Sequence, residues 1–323
     1  MSRADYPRLL GDVGGTNARF AWQSHAGAPI SHVASSLCND HDALIDAIRH
    51  FLRVHGLATP RACGIGIANP ITGDRVRMTN HHWSFSIGEL QRALGIERLV
   101  VINDFAAVAL SLPALGSEDL QAIGGGQGVD GAVLAVLGPG TGLGVAGLLR
   151  PAPGQEVPIT GEGGHVTLAA SDDDEAAVIG ALRARFDHVS AERALSGPGL
   201  VNLYEAAAAV EGKAVHLLAP ADIIERARAG SDPVCQHALA LFCAFLGSVA
   251  GNLALTLGAR GGVYVAGGIA PRIVTELRAS KFRERFEGKG RFQAYLAPIP
   301  TQVIASAVAP AFLGASRALD LAL

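Results

Sequence analysis

Two glycine-rich segments, Gly11-Asp-Val-Gly-Gly-Thr-Asn17 and Gly138-Pro-Gly-Thr-Gly-Leu-Gly144, constrain this chain more than any other feature. Each sits between two short apolar runs. Arg8 to Leu10 and Ala18 to Trp22 flank the first, and Ala132 to Leu137 and Val145 to Leu149 flank the second, so both read as β-hairpins, starting 127 residues apart. A second echo pairs Gly64-Ile-Gly-Ile-Ala-Asn-Pro70 with Gly262-Val-Tyr-Val-Ala-Gly-Gly268. From hairpin to echo takes 53 residues in the first half and 124 in the second, which predicts an internal duplication with an insertion of about 70 residues, from about 160 to 229.

Other elements fall between these landmarks. Leu44, Ile45, Ile48, Phe51 and Leu52 recur on one helical face, predicting an amphipathic helix from Asp42 to Val54. A strand is expected over Ala62 to Ala68, and another over Arg98 to Ile102 that ends on Asn103-Asp104, with a helix over Phe105 to Leu112. That places two polar side chains at the carboxyl end of a strand, the usual ligand side of an α/β sheet. Ser171-Asp-Asp-Asp-Glu175 reads as the acidic start of a helix capped by Ser171 rather than as a metal cluster.

Composition narrows the function. Charged residues make up 17% of the 323 and hydrophobic residues 49%, so much of the chain is buried. A formal charge of -3 supplies no basic field for a phosphate backbone, and nucleic acid is not an expected partner. Cys38, Cys63, Cys235 and Cys243 form neither C-x-x-C nor a Cys/His cluster, which argues for reduced thiols in a cytoplasmic protein. Met1 to Pro7 lacks the apolar stretch of a secretion signal. Ala238 to Ala259 carries no charge over 22 positions, but Ser248, Asn252, Thr256 and Gly258 interrupt it, so a buried core helix is expected and no membrane.

The glycine turns carry the first chemical inference. Without side chains, their backbone N–H groups can approach a phosphate closely. One such turn alone is an ordinary tight hairpin, whereas two, with the hydroxyls of Thr16 and Thr141, can hold one triphosphate. Asp12 adds a carboxylate whose burial beside phosphates requires a cation, for which magnesium is suited. Rival nucleotide motifs fail. Gly142-x-Gly144-x-x-Gly147 is followed by Leu148-Leu149-Arg150-Pro151 and not by a helix, and neither Gly-Lys pair, at 212 and 288, continues into Ser or Thr as a P-loop must. The groups suited to an alcohol substrate lie elsewhere: Asn103-Asp104, Gly161-Glu-Gly-Gly-His165 and Ser190-Ala-Glu-Arg193. Taken singly, His165 reads as a structural hydrogen-bonder and Glu192 as a partner of Arg193. His81-His82 reads as a turn beside Trp83.

Taken together, these segments resemble the bacterial glucokinases of the actin-like sugar-kinase superfamily. The resemblance spans nearly the whole chain and rests on Leu10-Gly-Asp-Val-Gly-Gly-Thr-Asn-Ala-Arg19, Asn69-Pro-Ile-Thr-Gly-Asp74, Met78-Thr-Asn-His81 with Trp83, Ile102-Asn-Asp-Phe105, Gly138 to Gly144, Gly161-Glu-Gly-Gly-His-Val166, Ala191-Glu-Arg193, Leu195-Ser-Gly-Pro-Gly-Leu-Val-Asn202 and Gly262 to Ile269. The cysteine-rich zinc motif of the related repressor and kinase family is missing, which points to the zinc-free branch. Only ten residues precede Gly11, so no DNA-binding domain of the repressor kind is expected.

The resemblance implies a two-domain actin-like ATPase (ribonuclease H-like) α/β fold, with residues 1–115 and 310–323 in a small domain, residues 116–309 in a large one, and a cleft as the active site. It implies that Asn103, Asp104, Glu162, His165 and Glu192 contact D-glucose. Gly11, Asp12, Val13, Gly14, Gly15, Thr16, Gly140, Thr141, Gly142 and Gly144 would address the phosphates of ATP, with Mg2+ near Asp12 through water, and Gly267 and Gly268 beside adenosine. Asp104 would be the general base that activates the sugar 6-hydroxyl, and the protein a homodimer. A sugar sensor without turnover, another hexose kinase and a dehydrogenase are the competing functions; the presence of both Asp12 and Asp104 disfavours the first.

Overall fold

The structure, a computed structural model, describes residues 5–152 and 154–321. In chain order its elements are β1 (Arg8–Val13), β2 (Asn17–Gln23), β3 (Ser31–Leu37), α1 (Leu44–Val54), β4 (Ala62–Ile67), β5 (Arg75–Arg77), β6 (Ser84–Ser86), α2 (Ile87–Leu94), β7 (Arg98–Asn103) and α3 (Asp104–Ser111). There follow β8 (Leu120–Gly124), β9 (Leu134–Pro139), β10 (Leu143–Ala152), β11 (Gln155–Gly161), α4 (Asp173–Arg183), α5 (Gly197–Val210), α6 (Pro220–Ala229) and α7 (Pro233–Leu257). Last come β12 (Gly262–Val265), α8 (Val274–Ala279), α9 (Phe282–Glu287), α10 (Gln293–Leu296), β13 (Thr301–Ile304) and α11 (Pro310–Leu321). The chain divides into two compact units, Met1–Gly116 with Arg150–Thr160 and Ser306–Leu323, and Ser117–Leu149 with Gly161–Ala305. Arg150–Thr160, expected in the large domain, groups with the first unit.

In the first unit the sheet runs β3-β2-β1-β4-β7. β1 is central and every one of its six residues is buried, as a strand covered on both faces requires. Leu9 and Val13 join Phe20, Ile65 and Ile67 in a core completed by Ile48 and Phe51 of α1, each fully buried side chain of this size contributing about 1.5–3 kcal/mol. The other face is covered by α3 and α11, which approach very closely. A Cβ at Gly314 would fall on the Ala107 carbonyl, and one at Gly64 on the Ala315 carbonyl. Arg8 is held in this layer, only 1% exposed, by Asp320 at 2.8 Å and by the Ser316 hydroxyl at 2.9 Å.

The second unit carries the sheet β11-β10-β9-β12-β13-β8. Its first five strands repeat the order of the other sheet: an antiparallel hairpin, then two parallel strands beside the hairpin's first strand. The expected duplication is therefore present in the topology. The glycine echo is out of register, however. Leu10 pairs with Gly64 and Leu137 with Val265, so the ladder counterpart of Gly64 lies three residues beyond Gly262. The hairpin turns are also shorter than expected: Gly11, Asp12 and Val13 lie within β1, and Gly138 and Pro139 within β9, because ladder pairing extends to Val13↔Ala18 and Leu143↔Pro139.

Helix α7 covers most of the uncharged segment, and its Leu239, Phe242 and Phe245 are buried in the second core with Leu203 and Phe282, although by length and composition it could cross a membrane. Gly247 and Gly251 let α9 approach it, since a Cβ at either would meet the Phe282 or Phe286 carbonyl. The cap of α4 is Asp172 and not Ser171: the Asp172 carboxylate accepts from Glu175 N at 2.9 Å, while Ser171 N donates to Glu175 Oε2 at 2.6 Å. Arg285 then binds both Asp172 and Glu175, so this acidic run is consumed by helix capping and an ion-pair network.

Candidate functional site

In the first unit, three parallel strands end together. Asp12, Gly66 and Ile102 share one rung of β1, β4 and β7, and Val13, Ile67 and Asn103 the next. Asp12 and the Asn103-Asp104 pair thus stand two strands apart at the same carboxyl edge, roughly 10 Å from one another at about 4.8 Å per strand. Asn103 caps α3 by accepting from Ala106 N at 3.0 Å, and its amide donates to Asp104 Oδ1 at 3.0 Å. Phe105 N donates to the same oxygen at 2.9 Å. The Asp104 carboxylate is thereby held at the start of the helix. Gly66 leaves room for it, because a Cβ there would lie 3.1 Å from Ala107 Cβ and 3.5 Å from Asp104 Cα.

Asp12 is nine-tenths buried and is bound by Arg19, its cross-strand neighbour on β2. Burial pushes the Asp12 carboxyl above the usual carboxylate range, and Arg19 acts against that rise. The turn beyond it is closed by Gly14 N donating to Asn17 O at 2.9 Å, and is braced by Cys38 N on Thr16 O at 2.8 Å. Asn80 lies directly against Gly15. Its loop is tied down by Asn69, whose Oδ1 accepts from Thr79 N at 3.0 Å and from Thr79 Oγ1 at 2.8 Å. Of the expected residues, Thr16 is exposed at the tip, whereas the Val13 side chain is wholly buried in the core.

In the second unit the turn is reduced to Gly140-Thr141-Gly142, closed by Gly140 N on Gly142 O at 2.8 Å. Gly197 N, at the start of α5, donates to Gly140 O at 2.8 Å. Glu192 Oε2 accepts from Leu143 N at 2.8 Å. The expected pairing of Glu192 with Arg193 is thus replaced by a bond to the turn, and the Arg193 guanidinium instead lies 4.3 Å from the centre of the Phe186 ring. His165 and Glu162 sit on an adjoining exposed segment whose Gly164 packs directly on the Leu143 carbonyl. That segment is tied to the Glu192 segment by Ala191 N on Val166 O at 2.8 Å. Gly267, at φ +84°, passes over the Pro139 carbonyl, a conformation and a closeness that only glycine tolerates. In this unit Thr141, Glu162, His165, Glu192, Gly267 and Gly268 are therefore all gathered about the end of β9.

These surroundings fit a nucleotide phosphate. No heavy atom lies within 4 Å of where a Cβ would stand at Gly140 or Gly268, so there is open space beside the backbone there. Among the described residues no group of three or more His, Cys, Asp or Glu side chains is arranged to hold a metal. A magnesium ion shared between one carboxylate, phosphates and water needs no such cage, and Asp12 offers the carboxylate. His81 and His82 instead make structural bonds, to Asn39 Oδ1 at 3.0 Å and to the Asp42 carbonyl at 3.3 Å.

Residue-type reasoning singled out neither Arg19 nor Gly66, although both lie in segments it quoted. Their signal is positional: Arg19 faces Asp12 only once the hairpin register is known, and Gly66 matters only beneath α3.

Comparison with known proteins identifies the family. The family model described as Glucokinase matches residues 9–322. The glucokinase of Aromatoleum aromaticum is 56% identical over 319 residues, covering 98% of this chain and 96% of that protein. The crystal structure of a glucokinase from an Antarctic psychrotroph superposes with a TM-score of 0.87 at 39% identity, over 97% of this chain and 98% of that one. A ROK family glucokinase from Streptomyces griseus, solved with glucose and AMPPNP, shares the fold at a TM-score of 0.63 and 19% identity, over 96% of this chain and 97% of that one. The fold is the actin-like ATPase fold of the sugar kinases. By its match to the family model across nearly its whole length, and by its identity to a curated member, the chain belongs to the glucokinase family.

Proposed function

We propose that this chain transfers the γ-phosphoryl group of ATP to the 6-hydroxyl of D-glucose, giving glucose 6-phosphate and ADP, with Asp104 as general base. The observation that carries the base assignment is the fixing of the Asp104 carboxylate, at the end of β7, by the Phe105 amide and the Asn103 side chain. A carboxylate so held can take the proton of a hydroxyl as that oxygen attacks phosphorus, a contribution of about 10²- to 10⁴-fold. Asn103, Glu162, His165 and Glu192 are the remaining proposed sugar ligands, suited by chemistry to orient hydroxyl groups. The Gly14–Thr16 and Gly140–Gly144 segments address the phosphates, and Gly267 and Gly268 border the adenosine. Magnesium, when bound with ATP near Asp12, neutralises the charge that builds on the transferring group. A cytoplasmic homodimer belongs to the same reading. The names of the relatives support the substrate, and AMPPNP in the Streptomyces griseus protein supports ATP.

The test is ADP release measured with glucose, mannose, fructose, N-acetylglucosamine and no sugar. Glucose is expected to give the highest kcat/KM, with little ADP formed when sugar is left out. Equal rates with and without sugar would overturn the reading.

A further inference from the structure

Glu192 is assigned above to the sugar, yet in the structure one of its oxygens is already engaged. Leu143 N, the first amide after the second glycine turn, donates to Glu192 Oε2 at 2.8 Å. The carboxylate also occupies the space of the missing Gly142 side chain, so that a Cβ at that position would fall on Oε2. The same short segment grips the turn from its other end through Gly197 N on Gly140 O at 2.8 Å. That grip is itself made rigid. Ser196 Oγ donates to the Glu192 carbonyl at 2.9 Å and accepts from Gly199 N at 2.9 Å, while Asn202 Nδ2 donates to the Arg193 carbonyl at 2.9 Å.

From this we infer that Glu192 is a positioning residue for the nucleotide turn as well as a sugar ligand, so that one carboxylate sets the Gly140–Leu143 backbone with one oxygen and reads a sugar hydroxyl with the other. The inference rests on the function proposed above. A carboxylate accepting from a backbone amide is a charge-assisted hydrogen bond, about twice as strong as a neutral one. It holds the turn in shape before any ligand arrives. Since both ligands then address one group, whatever the sugar does to the carboxylate reaches the phosphate site, and the coupling is reciprocal. Gly142 follows as a requirement of this arrangement: it is glycine because the carboxylate stands where its side chain would be.

Three variants and two ligand-free or sugar-free measurements separate this role from sugar binding alone. In Glu192→Ala both duties are lost. In Glu192→Gln the amide oxygen can still accept from Leu143 N, while the charge toward the sugar is gone. Gly142→Ala leaves Glu192 in the chain but displaces it. AMPPNP affinity by calorimetry, with magnesium and without sugar, is expected to fall about tenfold in Glu192→Ala and in Gly142→Ala, the low end for loss of a hydrogen bond to a charged group. It should stay within about threefold of the parent in Glu192→Gln, although that variant loses glucose affinity. Hydrogen exchange at the Leu143 amide of the ligand-free protein should quicken about tenfold in Glu192→Ala and Gly142→Ala and no more than about threefold in Glu192→Gln. Parent-like AMPPNP affinity and Leu143 protection in Glu192→Ala would overturn the positioning role and leave the sugar role standing. Failure of the parent protein to bind AMPPNP at all would overturn the proposed function instead, while the exchange data would still decide whether Glu192 holds the turn.

Discussion

Arg19 and Asp12 face one another across the first hairpin, and the guanidinium of one binds the carboxylate of the other. A carboxylate buried at a strand end is thereby given a counter-charge from the neighbouring strand, which opposes the rise that burial imposes on its pKa. Removing it should act on phosphate and metal and spare the sugar, whose proposed ligands are other residues. In Asp12→Ala, kcat is expected to fall at least about tenfold and the magnesium requirement to rise, with the glucose KM within about threefold of the parent. Steady-state titrations of magnesium and glucose check this; a shift confined to the glucose KM contradicts it.

Asp104→Asn keeps the shape of the side chain and its acceptor oxygen for Phe105 N, but it cannot take up a proton. Glucose affinity should therefore change little while kcat drops by about 10²- to 10⁴-fold. Calorimetry with glucose beside a rate assay on the same preparation makes the comparison. A near-parent kcat contradicts the assignment of the base.

The hairpin signal was legible because glycine, Thr16, Thr141 and Asp12 declare themselves by residue type and repeat. The internal duplication was legible from the repeated glycine segments and their spacing. Register was not: Gly64 and Gly262 look equivalent in sequence, yet ladder pairing shifts them by three residues, because register is decided by which side chains fill the core between strands and helices. The Ser171 cap failed for a related reason. Serine and aspartate both cap well, and the choice of Asp172 is made by Arg285, 113 residues further on, which no local pattern reveals. Glu192 was expected as a partner of Arg193 or, through the resemblance, as a sugar ligand, but its bond to Leu143 N spans 49 residues and needed the fold.

The buried Arg8–Asp320 pair lends itself to a stability measurement. Asp320→Ala leaves the guanidinium with the Ser316 oxygens but without its counter-charge, in a place almost closed to water. Loss of about 3 kcal/mol is expected, the low end for breaking a buried ion pair. Urea unfolding monitored by circular dichroism gives the number; a change below about 0.5 kcal/mol would show the pair to be dispensable.

His237 on α7 lies between Asp174 of α4 and Glu211 beyond α5, 2.8 Å from a carboxylate oxygen of each. Burial alone would lower its pKa, but the two carboxylates outweigh burial and hold it above the ordinary imidazole value. A group whose pKa is raised on folding stabilises fully below its unfolded pKa, near 6.5, and loses that contribution as pH rises through the folded value. His237→Ala should accordingly lower the Tm more at pH 6 than at pH 9. The difference should correspond to no more than about 1 kcal/mol for a partly exposed cluster. An equal loss of Tm at both pH values would mean that packing, and not charge, is what the imidazole provides.

The return of α11 to the first sheet has a consequence for how the protein is made. β1, the strand that bears Asp12, is synthesised about 300 residues ahead of the helix that covers one of its faces, Pro310–Leu321. Until that helix is synthesised, Gly64 lacks the backbone that packs on it and Arg8 lacks its counter-charge. The first unit therefore cannot complete itself until the second has been synthesised. A prematurely terminated chain will expose an apolar sheet face and a buried-type arginine, which marks it for chaperones and proteases, and it will not persist as a half-active fragment.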